Sequence, residues 1–248
     1  MLSFLRIAWL NAVFWTLSAL VTTAFALGGT FYVTLFSLCV RNHRRTLWLT
    51  RRTISNFGGA ILKCSWPLVR IRYIDHAPHD TPPFVFVSNH RSFSDGFLMA
   101  CLPFEAIQVV NIWPFRIPLI GIVAKIAGYL SVREMPFEEF LEKGSALLAQ
   151  GVSIVTFPEG TRSGSRTMGS FHGSAFRLAQ QAGVKIVPLV LTGNENIPQR
   201  GSLVLHPGTI AVHKLPAITP EQYQGLSSYQ LKTLVHSTMQ QHLEVVEK

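Results

Sequence analysis

No charged residue lies between Arg6 and Arg41. As an α-helix at 1.5 Å per residue this run would extend about 50 Å, against about 30 Å for the hydrocarbon core of a bilayer. It is too long for one upright span. It is also longer and more uniformly apolar than a core helix of a small soluble domain requires. Gly28 and Gly29 lie inside it and offer a break. Two shapes satisfy the run: one tilted membrane helix with an extra buried stretch, or a helical hairpin that dips into the bilayer. Trp9, Trp15, Tyr32 and Trp48 are spaced to lie near the interfaces. A secretory signal is the competing reading, because Ala24-Phe25-Ala26 resembles a cleavage site. The apolar run continues well past that point, which ranks the signal second.

The charge distribution agrees with a membrane surface. Nine Lys/Arg residues and no acid precede Asp75, whereas the remainder carries 13 basic and 13 acidic residues. The net charge of +9 therefore belongs to one segment. A basic segment beside an apolar run suits anionic lipid headgroups, and the positive-inside rule places the 41–52 cluster on the cytoplasmic side. No nucleic-acid-binding motif accompanies the cluster, so nucleic acid is not an expected partner. Overall, 48% of residues are hydrophobic and only 14% charged, well below the usual charged share of about 25%. Cys39, Cys64 and Cys101 show no metal-ligand or disulfide spacing and read as buried free thiols.

Residues 53–68 have near-helical apolar spacing (Ile54, Phe57, Ile61, Leu62) and predict an interfacial helix ended by Pro67. Residues 69–74 predict an edge strand, followed by a turn at 76–83. The short apolar run 84–88 fits a buried strand. Downstream, helices are expected over 96–102, 118–127, 136–150 and 173–182, and strands over 107–111, 129–133, 152–157 and 185–192. Residues 203–214 contribute one or two more strands. A last helix, capped by Ser227 or Ser228, presents Leu231, Leu234, Val235, Thr238 and Met239. Strands alternating with helices argue for an α/β layered domain over 69–248, preceded by a membrane-anchoring segment over 1–68.

Two polar stretches follow predicted strands, where open α/β sheets place their sites. The first is Asn89-His90-Arg91-Ser92-Phe93-Ser94-Asp95. Five residues apart on a helix, His90 and Asp95 would be about 140° apart in rotation, but in a loop entering a helix they can meet. An imidazole oriented by a carboxylate is a general base suited to neutral pH. Alone, the pair favours a helix cap beside a turn histidine over a catalytic pair. The second is Phe157-Pro158-Glu159-Gly160-Thr161-Arg162-Ser163, which offers a carboxylate, a hydroxyl and an Arg able to grip phosphate oxygens.

In this order and separation the two stretches resemble the signature of the glycerolipid acyltransferases, the family of 1-acylglycerol-3-phosphate acyltransferases. The NHxSxxD pattern is met at Asn89, His90, Ser92 and Asp95, and FPEGTRS in full at 157–163. Gly128 to Arg133 and Val187-Pro188-Leu189 are similar to two looser family blocks. The resemblance covers about residues 70–215. It implies a mixed central sheet flanked by helices and a membrane-bound O-acyltransferase. His90 and Asp95 would be catalytic. Arg133, Glu159, Gly160, Thr161, Arg162 and His172 would bind substrate. The acyl donor would be acyl-CoA or acyl-carrier protein, with no cofactor and no metal. One position departs: the family often has Lys where His172 stands, so a titratable imidazole replaces a fixed positive charge.

The implied product is phosphatidate in phospholipid biosynthesis. Another lyso-lipid acceptor, including an ornithine-type lipid, fits the same residues. A serine hydrolase lacks its nucleophile here, because the sequence contains no GxSxG elbow; Ser92 reads as a loop or cap hydroxyl. A non-catalytic membrane lipid-binding protein would explain the apolar N-terminus but not the two polar stretches.

Overall fold

A computed structural model of the chain describes residues 2–110, 120–131, 135–199 and 201–247. Helix α1 (Leu2–Ala24) runs through a wide turn of π-helix (Phe25–Gly29) into α2 (Thr30–Val40). The break that Gly28-Gly29 offer is not taken, and of the two shapes the single long helix is found. Surrounded by apolar sequence, the backbone keeps its polar groups paired within the helix, and the π turn absorbs the glycines. The stretch Phe4–Val40 is long and apolar enough to cross a membrane, and Phe4, Leu20, Leu27, Phe31 and Leu38 are exposed along it.

The chain reverses instead at Arg41, in the left-handed region at φ 49°, and at Asn42, whose side chain accepts from the Arg45 N–H at 3.0 Å. Asn42 thereby caps α3 (His43–Cys64), which packs back along the long helix. The Phe25 and Phe57 rings meet at 5.7 Å, and Gly29 lies against Thr53. Helix α3 thus starts well before the 53–68 segment expected from spacing, and takes in all of the basic cluster except Arg41.

That cluster divides. Arg41, Arg45 and Arg52 are exposed. Arg44 instead forms a two-pronged pair with Glu105 at 2.8 and 2.7 Å. Arg51 is buried, bonded to Glu105 at 2.9 Å and to the Ala127 carbonyl at 2.8 Å. A buried guanidinium without these partners would be costly, so two of the five arginines serve packing rather than a headgroup surface.

The α/β domain carries β1 (Val69–Asp75), β2 (Phe84–Ser88), α4 (Asp95–Leu98), β3 (Ala106–Gln108), α5 (Ile120–Ala127), α6 (Phe137–Ala149), β4 (Ser153–Thr156), α7 (Ser174–Ala182), β5 (Lys185–Thr192), β6 (Gly208–Lys214), α8 (Pro220–Tyr223) and α9 (Ser228–Val246). The strands form one sheet in the order β1-β6-β5-β2-β4-β3. Every pairing is parallel except β5 with β6, so the sheet is mixed and flanked by helices, as expected.

Alternation along β2 sorts the core. Val85 and Val87 face a layer with Phe140, Phe176 and the α9 stripe Leu231, Val235, Met239 and Leu243. Phe84 and Phe86 face the other layer, with Leu98, Leu68 and Phe14 of α1. Each such side chain, fully buried, contributes about 1.5–3 kcal/mol. Leu234, expected on the buried stripe of α9, is exposed, and Leu243 takes its place. Residues 203–207 form no strand: the Leu205 backbone bonds Asn11 in both directions (2.9 and 2.7 Å), and Trp15 donates to the Leu203 carbonyl at 3.1 Å. These bonds fasten α1 to the α/β domain.

Candidate active site

Strand β2 is flanked by β4 on one side and β5 on the other, all three parallel. The chain order reverses across β2, and such a switch point leaves a crevice at the carboxyl ends of the strands. Three segments emerge there: 89–95 after β2, 157–165 after β4, and 193–197 after β5.

The first closes His90 onto Asp95. His90 Nδ1 and Asp95 Oδ2 are 2.7 Å apart, the imidazole partly exposed and the carboxylate fully buried. Oδ2 also accepts from the backbone N–H of Arg91 at 2.7 Å and of Ser92 at 2.9 Å. Oδ1 accepts from the side-chain amide of buried Asn194. A carboxylate with this many donors is held rigidly and, by accepting from Nδ1, leaves Nε2 to act as acceptor. The His90 ring lies 4.6 Å from the Phe157 ring, centroid to centroid. Asn89 fastens the start of the loop by pairing with both backbone groups of Leu191, at 3.0 and 2.7 Å.

The second segment is laced to the first. Ser163 N–H donates to the His90 carbonyl at 2.8 Å, and Gly164 N–H to that of Arg91 at 3.2 Å. Glu159 is buried, accepting from His90 N–H at 2.8 Å and Gly169 N–H at 2.9 Å. Its carboxylate therefore joins the two loops. Gly160, at φ +70°, is where the His172 ring crosses the chain; a Cβ there would sit 3.2 Å from that ring. His172 N–H donates to the Pro158 carbonyl at 2.8 Å. Thr161, Arg162 and His172 are exposed at the mouth, with the Arg162 guanidinium 5.9 Å from the centre of the Phe93 ring. Arg133 lies outside the described residues. Ser92 and Ser94 donate to the Ile197 carbonyl at 3.2 and 3.1 Å, which agrees with a structural hydroxyl rather than a nucleophile.

Four contributors were not apparent from sequence. Asn194 reaches Asp95 because Gly193, at φ +75°, turns where any Cβ would come within 2.2 Å of the Thr209 carbonyl oxygen. Arg91, fully buried inside the His90 motif, pairs with Glu247 at the end of α9 and donates to the Arg166 carbonyl at 2.7 Å. Glu195 lies 3.6 Å from Arg91 and 2.9 Å from Arg166. Burial works against its charge, but its own N–H, Arg166 and Arg91 hold its carboxyl below the usual range. A Gly-Asn pair after a strand is the one signal that could have drawn attention to Asn194; nothing local marks Glu247.

An aromatic series leads from the loop to the apolar hairpin. Phe93 meets Phe97 at 6.0 Å, Phe97 meets Phe57 at 6.4 Å, and Phe57 meets Phe25 in the π turn. Ring contacts thus link the site mouth to the apolar helix.

Residues 69–192 match the family model described as Acyltransferase. The chain is 35% identical over 150 residues to a chloroplastic 1-acyl-sn-glycerol-3-phosphate acyltransferase of Arabidopsis thaliana, covering 58% of this chain and 42% of that one. It is 33% identical over 176 residues to a 1-acyl-sn-glycerol-3-phosphate acyltransferase of Chlamydomonas reinhardtii, covering 66% and 52%. The matched stretch thus spans about half the length of these relatives. The fold is similar to the crystal structure of a 1-acyl-sn-glycerophosphate acyltransferase, PlsC, from Thermotoga maritima, with TM-score 0.78 and 19% identity over 98% of this chain and 97% of that one.

Proposed function

Because the chain belongs to the acyltransferase family, we propose that it moves a fatty acyl group from acyl-CoA or acyl-carrier protein to the free hydroxyl of 1-acylglycerol-3-phosphate, giving phosphatidate. The observation that carries the reading is the 2.7 Å His90–Asp95 contact, set beside an FPEGTRS loop bonded to the same backbone.

His90 Nε2 takes the proton of the acceptor hydroxyl as its oxygen attacks the thioester carbonyl. Base catalysis of this kind typically contributes about 10²–10⁴-fold. Asp95 stabilises the imidazolium. The tetrahedral intermediate expels the thiolate, which recovers the proton from His90. The N–H groups of His90, Arg91, Ser92, Ser163 and Gly164 are already engaged within the loops. Those of Thr161 and Arg162 are the donors we assign to the oxyanion. The Arg162 side chain, together with Arg133, takes the acceptor phosphate, and His172 borders the same mouth. Glu159 acts by holding the loops together. The sequence of steps balances with these groups, so the reading takes no cofactor and no metal in catalysis.

The apolar helix Phe4–Val40 lies in the bilayer, with exposed Arg41, Arg45 and Arg52 at the headgroups of the cytoplasmic leaflet. The partners are therefore membrane lipids and the acyl donor.

The test is thiol release by the detergent-purified chain, given acyl-CoA or acyl-carrier protein and a panel of lyso-acceptors. Fastest transfer to 1-acylglycerol-3-phosphate, abolished in a normally folded His90→Ala variant, is expected. Near-wild-type turnover in that variant overturns the mechanism; faster transfer to a lyso-lipid without a phosphomonoester overturns the acceptor.

A further inference from the structure

Outside the candidate active site, three histidines from distant parts of the sequence meet at one place. His76 follows β1, and its N–H donates to the Lys214 carbonyl at 2.9 Å. His213 lies on β6, opposite Val190 of β5, on the sheet face covered by α9. His242 comes from α9, next to the buried Leu243. The available ring nitrogens of the three all lie within 4.8 Å of one another.

Ordinary packing explains this poorly. His76 Nε2 and His213 Nδ1 are 3.3 Å apart and can satisfy each other. His242 Nε2, however, is buried without a hydrogen-bond partner among the described residues. The His76 and His213 rings are nearly parallel, 11° apart, whereas the His242 ring stands edge-on to both at 5.1 and 4.8 Å. A buried ring nitrogen left unpaired costs about 1–3 kcal/mol. A cation among the three would satisfy all of them. The distances are suitable: with zinc–nitrogen bonds of about 2.0–2.1 Å, two ligands on a tetrahedral ion stand about 3.3–3.4 Å apart. His76 and His213 already have that separation, and the ligand nitrogen of His242, within 4.8 Å of theirs, must close a remaining gap of at most about 1.5 Å. The neighbouring charge does not oppose a cation, because Lys214 is paired with Asp75 at 2.9 Å.

We propose that His76, His213 and His242 bind one divalent transition-metal ion, with imidazole chemistry favouring zinc, and that this ion staples the end of α9 to the β1–β6 edge of the sheet. Three protein ligands leave the fourth position to water. Five residues beyond His242, Glu247 pairs with Arg91 of the His90 loop, so the staple also steadies that strap. The proposal does not depend on the acyl-transfer reading.

The full chain, purified without a histidine tag and stripped with chelator, is titrated with Zn²⁺ and analysed for bound metal. One equivalent per chain is expected, with a rise in melting temperature of about 5 °C or more at saturation and slower amide exchange over 240–247. H242Q or H213N should lose the equivalent. Co²⁺ should give the intense visible bands of a tetrahedral site in the wild type alone. Equal Zn²⁺ uptake by the wild type and the H76Q/H213N/H242Q variant overturns the proposal. So does an octahedral Co²⁺ spectrum in the wild type, which needs no variant to fold.

Discussion

Arg91, one residue after the proposed base, is joined to Glu247 at the far end of the sequence. The guanidinium is almost wholly buried, 1% exposed, so the cost of burying it is offset by the partners around it. Glu247 supplies two contacts, the longer at 3.1 Å, while Glu195 stands farther off at 3.6 Å. Glu247→Ala is expected to destabilise the fold by about 1–3 kcal/mol, because a buried charge loses its best acceptor. Acyl transfer should fall with it, since the His90 carbonyl and N–H are anchored in the same loop. Chemical denaturation and initial rates on the same preparation check both effects.

Asp95→Asn should leave the fold largely intact and slow transfer by roughly 10³–10⁴-fold, because the amide no longer fixes the imidazole proton on Nδ1. The pH profile distinguishes this from general damage: the alkaline plateau should fall, with no compensating rise in acceptor KM. Asn194→Ala removes one of the bonds holding Asp95. As a positioning change it should lower kcat by about 10-fold or more, with acceptor KM nearly constant.

Arg162→Ala is expected to raise the KM for a phosphate-bearing acceptor by about 10–150-fold, the equivalent of one charge-assisted bond of about 1.5–3 kcal/mol. The KM for the acyl donor should stay within a factor of about 2–3. Steady-state kinetics with each substrate varied in turn make the comparison. Equal losses on both would remove Arg162 from the phosphate.

Gly193→Ala places a Cβ within 2.2 Å of a backbone oxygen on β6, at a φ of +75°. Neither the oxygen nor the turn can give way without moving β6 or Asn194. A loss of stability well above about 1 kcal/mol is expected, together with lower activity, since Asn194 is displaced from Asp95. Thermal unfolding of the variant is the direct measurement.

Much of the α/β layer was legible because its signals are local. The 185–192 strand is found over the expected residues, and β2 reads as an uninterrupted apolar run because both its faces are covered. The His90–Asp95 pair was ambiguous by spacing and gained meaning from FPEGTRS, which the sheet places on the adjacent strand end. The sequence left one long helix and a hairpin broken at the glycines both open; the long helix is found, because a helix in apolar surroundings keeps its hydrogen bonds, and the chain turns only at Arg41 and Asn42. Arg44 and Arg51 looked like headgroup ligands because no local feature shows that Glu105 lies beneath them. Asn194, Glu247 and the three histidines depend on contacts between residues far apart in sequence, which no periodicity reports.

The bonds from Asn11 and Trp15 to the 203–205 segment keep the long helix and the α/β domain together. With that helix in a bilayer, the proposed catalytic crevice cannot tumble freely in solution and samples only the leaflet beside it. Encounter with a lipid acceptor then becomes a two-dimensional search. Turnover should follow the mole fraction of acceptor within the membrane rather than its bulk concentration, and dilution with inert lipid should slow it at constant total acceptor.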